Sequence, residues 1–386
     1  MKNIVINIFA AMLCALLPSC AEKDQSTSDR EGEIALIAPA EGTLYFGTES
    51  AVQTLSFNAS AQWMVKFVNS SASTWCSIEQ TEGGEGRNTI EVKVSENTQP
   101  QQRSAAFNII SGSSQQKVLV VQEAVEQVLP DSISVLAIGN SFSDDAMWYL
   151  YDLLKEVGYE YVKLGNLYIG SCTLQQHAYN ITSNSAAYTY RVNEDGQWIN
   201  NDSYVSVDAL KSEDWDMVIL QQASGSSGMP DTYYPYISTL TAKIRELCPD
   251  AELIWHMTWA YQGNSSHPEY YKYEYDQMTM YDAIVSAVHQ NILTNEDFDR
   301  VIPTGTAIQN LRTSIYGDTV TRDGFHLAYD SGRLAAAMMW LKSLTECDLK
   351  PITWTPSNHT YTPEQIAAIK ESVENAWATP YQVTAF

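Results

Sequence analysis

Basic residues are scarce in this chain. It carries 22 Lys and Arg against 46 Asp and Glu, a formal charge of -24 over 386 residues. Phosphate contacts need clustered cations, so the composition argues against a nucleic-acid partner and against docking on anionic lipid heads. Cysteine is scarce too. Of the six, Cys14 and Cys20 fall in the first twenty residues, and Cys76, Cys172, Cys248 and Cys347 show no CxxC spacing. A disulfide is compatible with an oxidising compartment but is not specified. His177, His256, His267, His289 and His359 show no ligand spacing, so no metal is expected. Beyond the first twenty residues no long apolar run occurs, so nothing further along should cross a membrane.

What is present begins with Lys2 and an apolar stretch from Ile4 to Leu17, interrupted only by Asn7. It is too short to span a bilayer as a mature helix and reads as an export signal. It ends in Leu17-Pro18-Ser19-Cys20, which resembles a lipobox; Pro18 departs from the commonest form, while the small residue before the Cys is kept. The resemblance implies lipidation of Cys20 and residues 1–20 as a lipoprotein signal peptide. The expectation is an exported lipoprotein of the outer membrane or cell surface that touches the membrane only through its anchor. Residues 21–33 are polar and read as a tether.

From 34 to 124 helical periodicity is absent. Short alternating runs (Thr54 to Phe57, Trp63 to Phe67, Thr89 to Val94, Ala105 to Ile110, Lys117 to Gln122) are separated by polar turns. That spacing predicts an all-β, Ig-like sandwich with Trp63 and Trp75 in its core. Gln62-Trp63, Trp75-Cys76-Ser77-Ile78, Gly83-Gly84-Glu85-Gly86, Val92-Lys93-Val94, Asn97, Arg103 and Val120-Val121-Gln122 resemble the BACON family. Such modules accompany carbohydrate-active domains, which implies either glycan binding or a spacer. The Ser, Thr and Gln of its edges offer no aromatic sugar platform and favour the spacer. Residues 125–131 read as a linker with a Pro break.

Residues 132–379 alternate between short apolar runs and helical patterns. The expected strands are Val135–Ile138, Tyr161–Leu167, Met217–Leu220, Leu253–Met257 and Arg300–Pro303. Helices are expected over 144–157, 233–247, 273–293, from about Asp330 through Leu341, and after a capped start at Thr362-Pro363. Strands alternating with helices make an α/β fold, a parallel sheet covered on both faces. The Asn-, Ser- and Tyr-rich stretch 183–206 reads as an excursion, a lid or specificity loop.

Ser141 follows the first of these strands in Gly139-Asn140-Ser141, at the end where open α/β sheets hold their ligands. A Ser hydroxyl needs a base, and Asp323-Gly324-Phe325-His326 supplies one, with Asp323 able to hold the imidazole tautomer. The structural alternatives are a helix N-cap at Ser141 and a polar turn at Asp323 and His326. Tyr168, Trp255, Trp259 and Tyr261 lie near strand ends and are candidates for the walls of a substrate cleft, though aromatics there more often pack. His177 lies just after Gly170 and could line the cleft, but reads more readily as a surface residue.

Gly139-Asn140-Ser141, Gly170 in Tyr168-Ile169-Gly170-Ser171, and Asp323-Gly324-Phe325-His326-Leu327 resemble the blocks of the SGNH, or GDSL-like, hydrolases. The resemblance implies a three-layer sandwich, catalytic Ser141, Asp323 and His326, and an oxyanion hole from the N–H groups of Ser141 and Gly170 with a side-chain amide. The family's Gly-x-Asn-Asp block is missing. Leu220-Gln221-Gln222-Ala223-Ser224 stands there, so the amide is expected from Gln222, or alternatively Gln221. Together these features imply an exported serine esterase that removes O-acyl groups, most simply acetyl, from a polysaccharide or oligosaccharide, without a cofactor. The alternative is a glycan-binding lipoprotein without catalysis.

Overall fold

The computed structural model describes residues 32–99, 102–125 and 130–386. The expected export signal, Cys20, the tether up to residue 31 and residues 126–129 of the expected linker lie outside the described residues. The chain divides into two compact units, one ending at Ala124 and the other running from Val125 to Phe386.

The described strands of the first unit are β1 (Ile34–Ala38), β2 (Thr43–Phe46), β3 (Ala51–Ala59), β4 (Trp63–Phe67), β5 (Cys76–Ile78), β6 (Glu82–Gly83), β7 (Gly86–Val94), β8 (Arg103–Ser111) and β9 (Ser114–Gln122). One sheet has the order β1-β3-β7-β5, the other β2-β9-β8-β4-β6. Alternate side chains along the long strands turn inward, as a period of two requires. Leu55, Phe57, Ile90, Val92, Phe107, Ile109, Val118 and Val120 thus form one apolar core. Trp63 is buried with them, edge-on to Phe57 at 4.9 Å between ring centroids. Trp75 sits at the edge of that core, and the Arg103 guanidinium covers its ring at 4.5 Å.

The second unit contains β10 (Ser132–Gly139), β11 (Tyr161–Tyr168), β12 (Tyr188–Asn193), β13 (Ile199–Tyr204), β14 (Met217–Leu220), β15 (Glu252–His256) and β16 (Arg300–Ile302). They form a seven-stranded sheet of order β13-β12-β11-β10-β14-β15-β16. All pairings from β11 through β16 by way of β10, β14 and β15 are parallel. β12 and β13 add an antiparallel ribbon on the outer side of β11. The expected excursion of 183–206 is therefore part of the sheet. Tyr188 and Tyr190 are its buried rungs, whereas most of β13 is exposed and polar, which hides its strand character in the sequence.

The helices are α1 (Ser141–Met147), α2 (Leu150–Glu156), α3 (Leu174–Ser183), α4 (Ser206–Leu210), α5 (Tyr236–Leu247), α6 (Gln277–Asn291), α7 (Thr304–Arg312), α8 (Gly332–Thr345) and α9 (Pro363–Ala378). The single helix expected over 144–157 is two, broken at Trp148 and Tyr149, where the Tyr149 hydroxyl donates to the Tyr329 carbonyl at 2.9 Å. α1, α2, α7 and α9 pack around α8, and α3, α4 and α5 pack on one another. Every residue of α8 is buried, because it is enclosed by other helices rather than lying on the surface. At α9 the Thr362 hydroxyl and the Gln365 side chain form a reciprocal capping box. After α9 the tail returns to α7: the Thr384 N–H donates to Asn310 Oδ1 at 2.8 Å, carrying the packed unit past residue 379. No described helix is long and apolar enough to cross a membrane. Cys76, Cys172, Cys248 and Cys347 are unpaired and buried.

β10 lies between β11 and β14: the chain passes from β10 to β11 on one side and, after β13, crosses to β14 on the other. Such a switch point opens a crevice at the carboxyl ends of the strands. The segments after β10, β11 and β14 all begin there. The 313–331 segment that follows α7 is held against them where α8 starts. A Cβ on Gly332 would fall 2.4 Å from the Val320 carbonyl and 2.9 Å from Leu327 Cδ2. Gly332→Ala should therefore force α8 and this segment apart and destabilise the unit by about 1–3 kcal/mol, measured by urea unfolding.

Candidate active site

Gly139 ends β10 where a side chain has no room. A Cβ there would meet Ser143 Oγ at 2.5 Å and Gln221 Cδ at 3.0 Å. The next residue, Asn140, is the N-cap of α1, its Oδ1 accepting the Phe142 N–H at 3.0 Å. Ser141 is the first residue of the helix and is not its cap. Its hydroxyl is instead 2.8 Å from His326 Nε2. On the far side of the ring, His326 Nδ1 lies 2.6 Å from Asp323 Oδ2. A carboxylate can only accept, so Nδ1 carries the proton, and the Nε2 lone pair is left to accept from Ser141.

Asp323 is fixed by its own turn. Its Oδ1 accepts the His326 N–H at 2.8 Å and the Phe325 N–H at 3.2 Å. Burial raises its pKa, but the hydrogen bonds and charge of His326 and the Phe325 N–H outweigh this and hold it below the usual carboxylate value. The carboxylate is thus ionised wherever His326 works as a base. Gly324, with φ of 92°, makes the turn and passes close to Ser265.

Gly170 lies in the turn after β11. The Cys172 N–H donates to the Ile169 carbonyl at 3.2 Å, and Ser171 takes the left-handed conformation with φ of 55°. A non-glycine residue there costs on the order of 1–2 kcal/mol. The turn is tied to the nucleophile, since Asn140 Nδ2 donates to the Cys172 carbonyl at 3.2 Å. Among the described residues no acceptor takes the N–H of Ser141 or of Gly170. A Cβ on Gly170 would meet nothing nearer than the Tyr168 hydroxyl, at 3.6 Å. Packing of the fold therefore does not demand a glycine at this position.

Neither glutamine amide is presented as the third donor. Gln222 is buried and its Nε2 donates to the Thr232 carbonyl and hydroxyl, at 3.1 and 3.0 Å. Its Oε1 accepts the Leu174 and Ala223 N–H groups. The expectation for Gln222 is corrected accordingly: its amide knits the segments after β11 and β14 together. Gln221 Nε2 donates to Asn140 Oδ1 at 2.8 Å, and its Oε1 pairs with His256 Nδ1 at 2.9 Å. Because Asn140 Oδ1 also accepts the Phe142 N–H, both amide orientations are set and His256 must donate from Nδ1. Burial pushes His256 down to about 3, so it stays neutral in this role.

The aromatic residues divide differently from the expectation. Trp259 is buried, stacked on Phe142 at 4.2 Å, and its Nε1 donates to the Phe325 carbonyl at 2.7 Å. It is a support under the segments that carry Ser141 and His326, not a cleft wall. Tyr261 is buried as well, its hydroxyl 2.8 Å from Ser224 Oγ, and Trp255 is packed against Tyr233 and Phe298. Only Tyr168 of the four is half-exposed. The Arg191 guanidinium lies 4.0 Å over its ring and pairs with Asp144 at 2.5 Å. Burial raises the Asp144 pKa despite that partner. His177 is buried, contrary to its reading as a surface residue, and bonds the Tyr188 hydroxyl at 2.8 Å.

Sequence reasoning missed Asn140 as the hub of these bonds, Gln221 and His256 as its support, and the carboxylate of Asp145. No local signal marked Asp145, since its partners, Arg322, Leu327 and Arg333, lie far along the chain. It also missed His267, whose ring lies 4.7 Å from that of Phe325. Among the described residues no group of His, Cys, Asp and Glu could hold a metal ion.

The comparisons with known proteins bear on both units. A family model described as "Domain of unknown function (DUF4886)" matches residues 134–376, and the BACON model matches residues 65–123. The crystal structure of a DUF4886 family protein from Bacteroides uniformis is 39% identical, with a TM-score of 0.63, covering 66% of this chain and 98% of that one. LAE5, an α/β hydrolase enzyme from the metagenome of Lake Arreo, Spain, is 12% identical with a TM-score of 0.36, covering 56% of this chain and 95% of that one. No curated protein matches.

The depressed Asp323 pKa has a testable sign. Its contribution to stability is complete above the ordinary carboxylate value of about 4 and is lost as pH falls through the lower folded value. The stability gap between the parent and Asp323→Asn should therefore be widest near neutrality and narrow in acid. Urea unfolding across that range checks this, and a gap that stays constant would contradict it.

Proposed function

We propose that this chain, which belongs to the DUF4886 family, is a serine esterase of the SGNH type acting on O-acyl groups of a polysaccharide or oligosaccharide. The observation that carries the reading is the hydrogen-bonded line from Ser141 Oγ through His326 to Asp323, 2.8 and then 2.6 Å. A nucleophile, a base within hydrogen-bond reach and a group that orients the base are what acyl transfer requires.

In this reading Ser141 Oγ attacks the ester carbonyl as its proton passes to His326 Nε2. The carbonyl oxygen becomes an oxyanion between the N–H groups of Ser141 and Gly170. Each such donor contributes roughly 3 kcal/mol in the transition state. Asp323 stabilises the imidazolium, which then gives its proton to the leaving sugar oxygen as the C–O bond breaks. Water attacks the acyl-enzyme by the same route, its proton going to His326 and then to Ser141, and the free acid leaves. No cofactor enters any step.

The carbohydrate part of the proposal rests on company: a BACON module beside an SGNH-type domain. Acetyl is the simplest acyl group. Export through residues 1–20 and anchoring by a lipidated Cys20 would place the enzyme at the outer membrane or cell surface, where polysaccharide is met. The β module serves as a spacer in this picture, since Trp63 is buried and the Trp75 ring is covered by Arg103. The second reading, a glycan binder without catalysis, is favoured by one observation, the engagement of both Gln221 and Gln222 amides elsewhere.

Acetate release from acetylated xylan, mannan and pectin separates the two. The parent should release acetate from at least one of them, and Ser141→Ala should lose this by several orders of magnitude. Retention of the polysaccharide with no release, and no turnover of short nitrophenyl esters, would favour the binder. Gly170→Ala provides an independent check on the oxyanion site. It should leave stability within about 0.5 kcal/mol, because the methyl group has space in the fold, yet lower kcat by obstructing the approach of the carbonyl oxygen.

A further inference from the structure

Four residues beyond the nucleophile, Asp145 is fully buried on α1. Its carboxylate accepts from Arg322 Nη1 at 3.0 and 3.1 Å, from Arg333 Nε at 2.7 Å and Nη2 at 2.6 Å, and from the Leu327 N–H at 2.8 Å. A buried charge left without partners would be strongly unfavourable, so this group holds whatever supplies them. Two of the three donors bracket the base in sequence. Leu327 follows His326 directly, and Arg322 precedes Asp323. The Arg322 N–H donates to the His326 carbonyl at 2.9 Å, and Thr321 forms a β-bridge with Leu327. The third donor, Arg333, stands in the first turn of α8, on which α1 packs. One carboxylate thus joins the helix that carries Ser141 to both flanks of the loop that carries His326.

We infer that Asp145 is a positioning residue. Its bonds to Arg322 and to the Leu327 N–H hold the His326 imidazole at hydrogen-bond distance from Ser141. The inference rests on the esterase reading for its kinetic consequence, though not for its structural one. Each arginine is held in place by more than the carboxylate. Arg322 lies 4.9 Å over the Tyr329 ring, and Arg333 lies 4.5 Å from the Trp148 ring and 4.7 Å from that of Tyr329. With the guanidinium planes pinned on these rings, the carboxylate has one well-defined seat. Through that seat α1 accepts the N–H of residue 327.

The test uses the full chain with two variants. Asp145→Asn keeps the shape but removes the charge and one acceptor. Arg322→Gln removes one arm of the carboxylate's set, together with that guanidinium's bond to the Leu327 carbonyl, at a partly exposed side chain and leaves Arg333 paired, so it reports even where the first variant does not fold. A misplacement of about 1 Å at a reacting pair can cost on the order of 100-fold in rate. With p-nitrophenyl acetate, each folded variant should lose roughly that factor in kcat while KM changes less than about two-fold. The downfield proton resonance of His326 Nδ1 should broaden or disappear in the same variants, with circular dichroism unchanged. Folded variants that keep both kcat and the resonance would overturn the inference, as would a loss of kcat that only tracks the unfolded fraction. A parent with no turnover but with a resonance that the variants abolish would leave the positioning role standing and remove the esterase reading.

Discussion

The whole site turns on one buried carboxamide. Asn140 is almost completely enclosed, and a buried amide must satisfy both its donor and its acceptor within the protein. Its Oδ1 takes the Phe142 N–H, at the start of the helix that carries Ser141, and the Nε2 of Gln221, directly after β14. Its Nδ2 goes to the Cys172 carbonyl in the turn after β11. Three loops that share no sequence neighbourhood are thereby set relative to one another by a single side chain. His256 extends the chain of bonds to β15. Removing any member leaves another buried polar group unsatisfied, which costs about 1–3 kcal/mol. The geometry of Ser141 is therefore an outcome of the sheet, and not of α1 alone.

The rest of the active geometry is bought with arginine in a chain that has little positive charge. Arg322 and Arg333 meet at Asp145, and Arg191 meets Asp144 one residue earlier on the same short helix. Adjacent carboxylates on one turn would repel each other and unsettle the helix if left bare. Paired as they are, they anchor it on two sides, to the catalytic loop and α8 through Asp145 and to β12 through Asp144. This gives the ribbon of β12 and β13 a part in the site. Arg191 also lies over Tyr168, next to the turn that holds Gly170.

Much of this was legible in the sequence, and the limits have physical causes. The five parallel strands showed as apolar runs because both faces of each are covered. Ser141, His326 and Asp323 were singled out because nucleophilic chemistry requires such residue types at the ends of those strands, and the structure brings them into one hydrogen-bonded line. β12 and β13 were missed because a solvent-facing ribbon needs only alternate apolar residues; Tyr188, Tyr190 and Val192 supply them on β12, while β13 offers little beyond Tyr204. Trp259 and Tyr261 were candidates for the cleft on their position after a strand, with packing as the commoner outcome. Position does not say which way a ring turns, and both turn inward, where Trp259 stacks on Phe142 and braces the catalytic loop. Asp145 was passed over because nothing in its local pattern distinguishes a buried carboxylate from a surface one; its partners lie far along the chain, at Arg322 and Arg333.

The replaced third block shows how a departure from a family pattern can be read quantitatively. A side-chain amide is one oxyanion donor among three, worth roughly 3 kcal/mol, or about two orders of magnitude in rate. Its loss would slow acyl transfer without removing the nucleophile, the base or the two main-chain donors. Gln221 and Gln222 are each one methylene longer than Asn, and that length is used. Gln221 reaches under Asn140, and Gln222 reaches across to Leu174 and Thr232. Their amides stabilise the frame in which the Ser141 and Gly170 N–H groups stand. In the esterase reading proposed above, a site built this way would exchange a direct contact with the transition state for a more rigid pair of donors. The exchange is favourable only if holding those two donors in place matters more than adding a third.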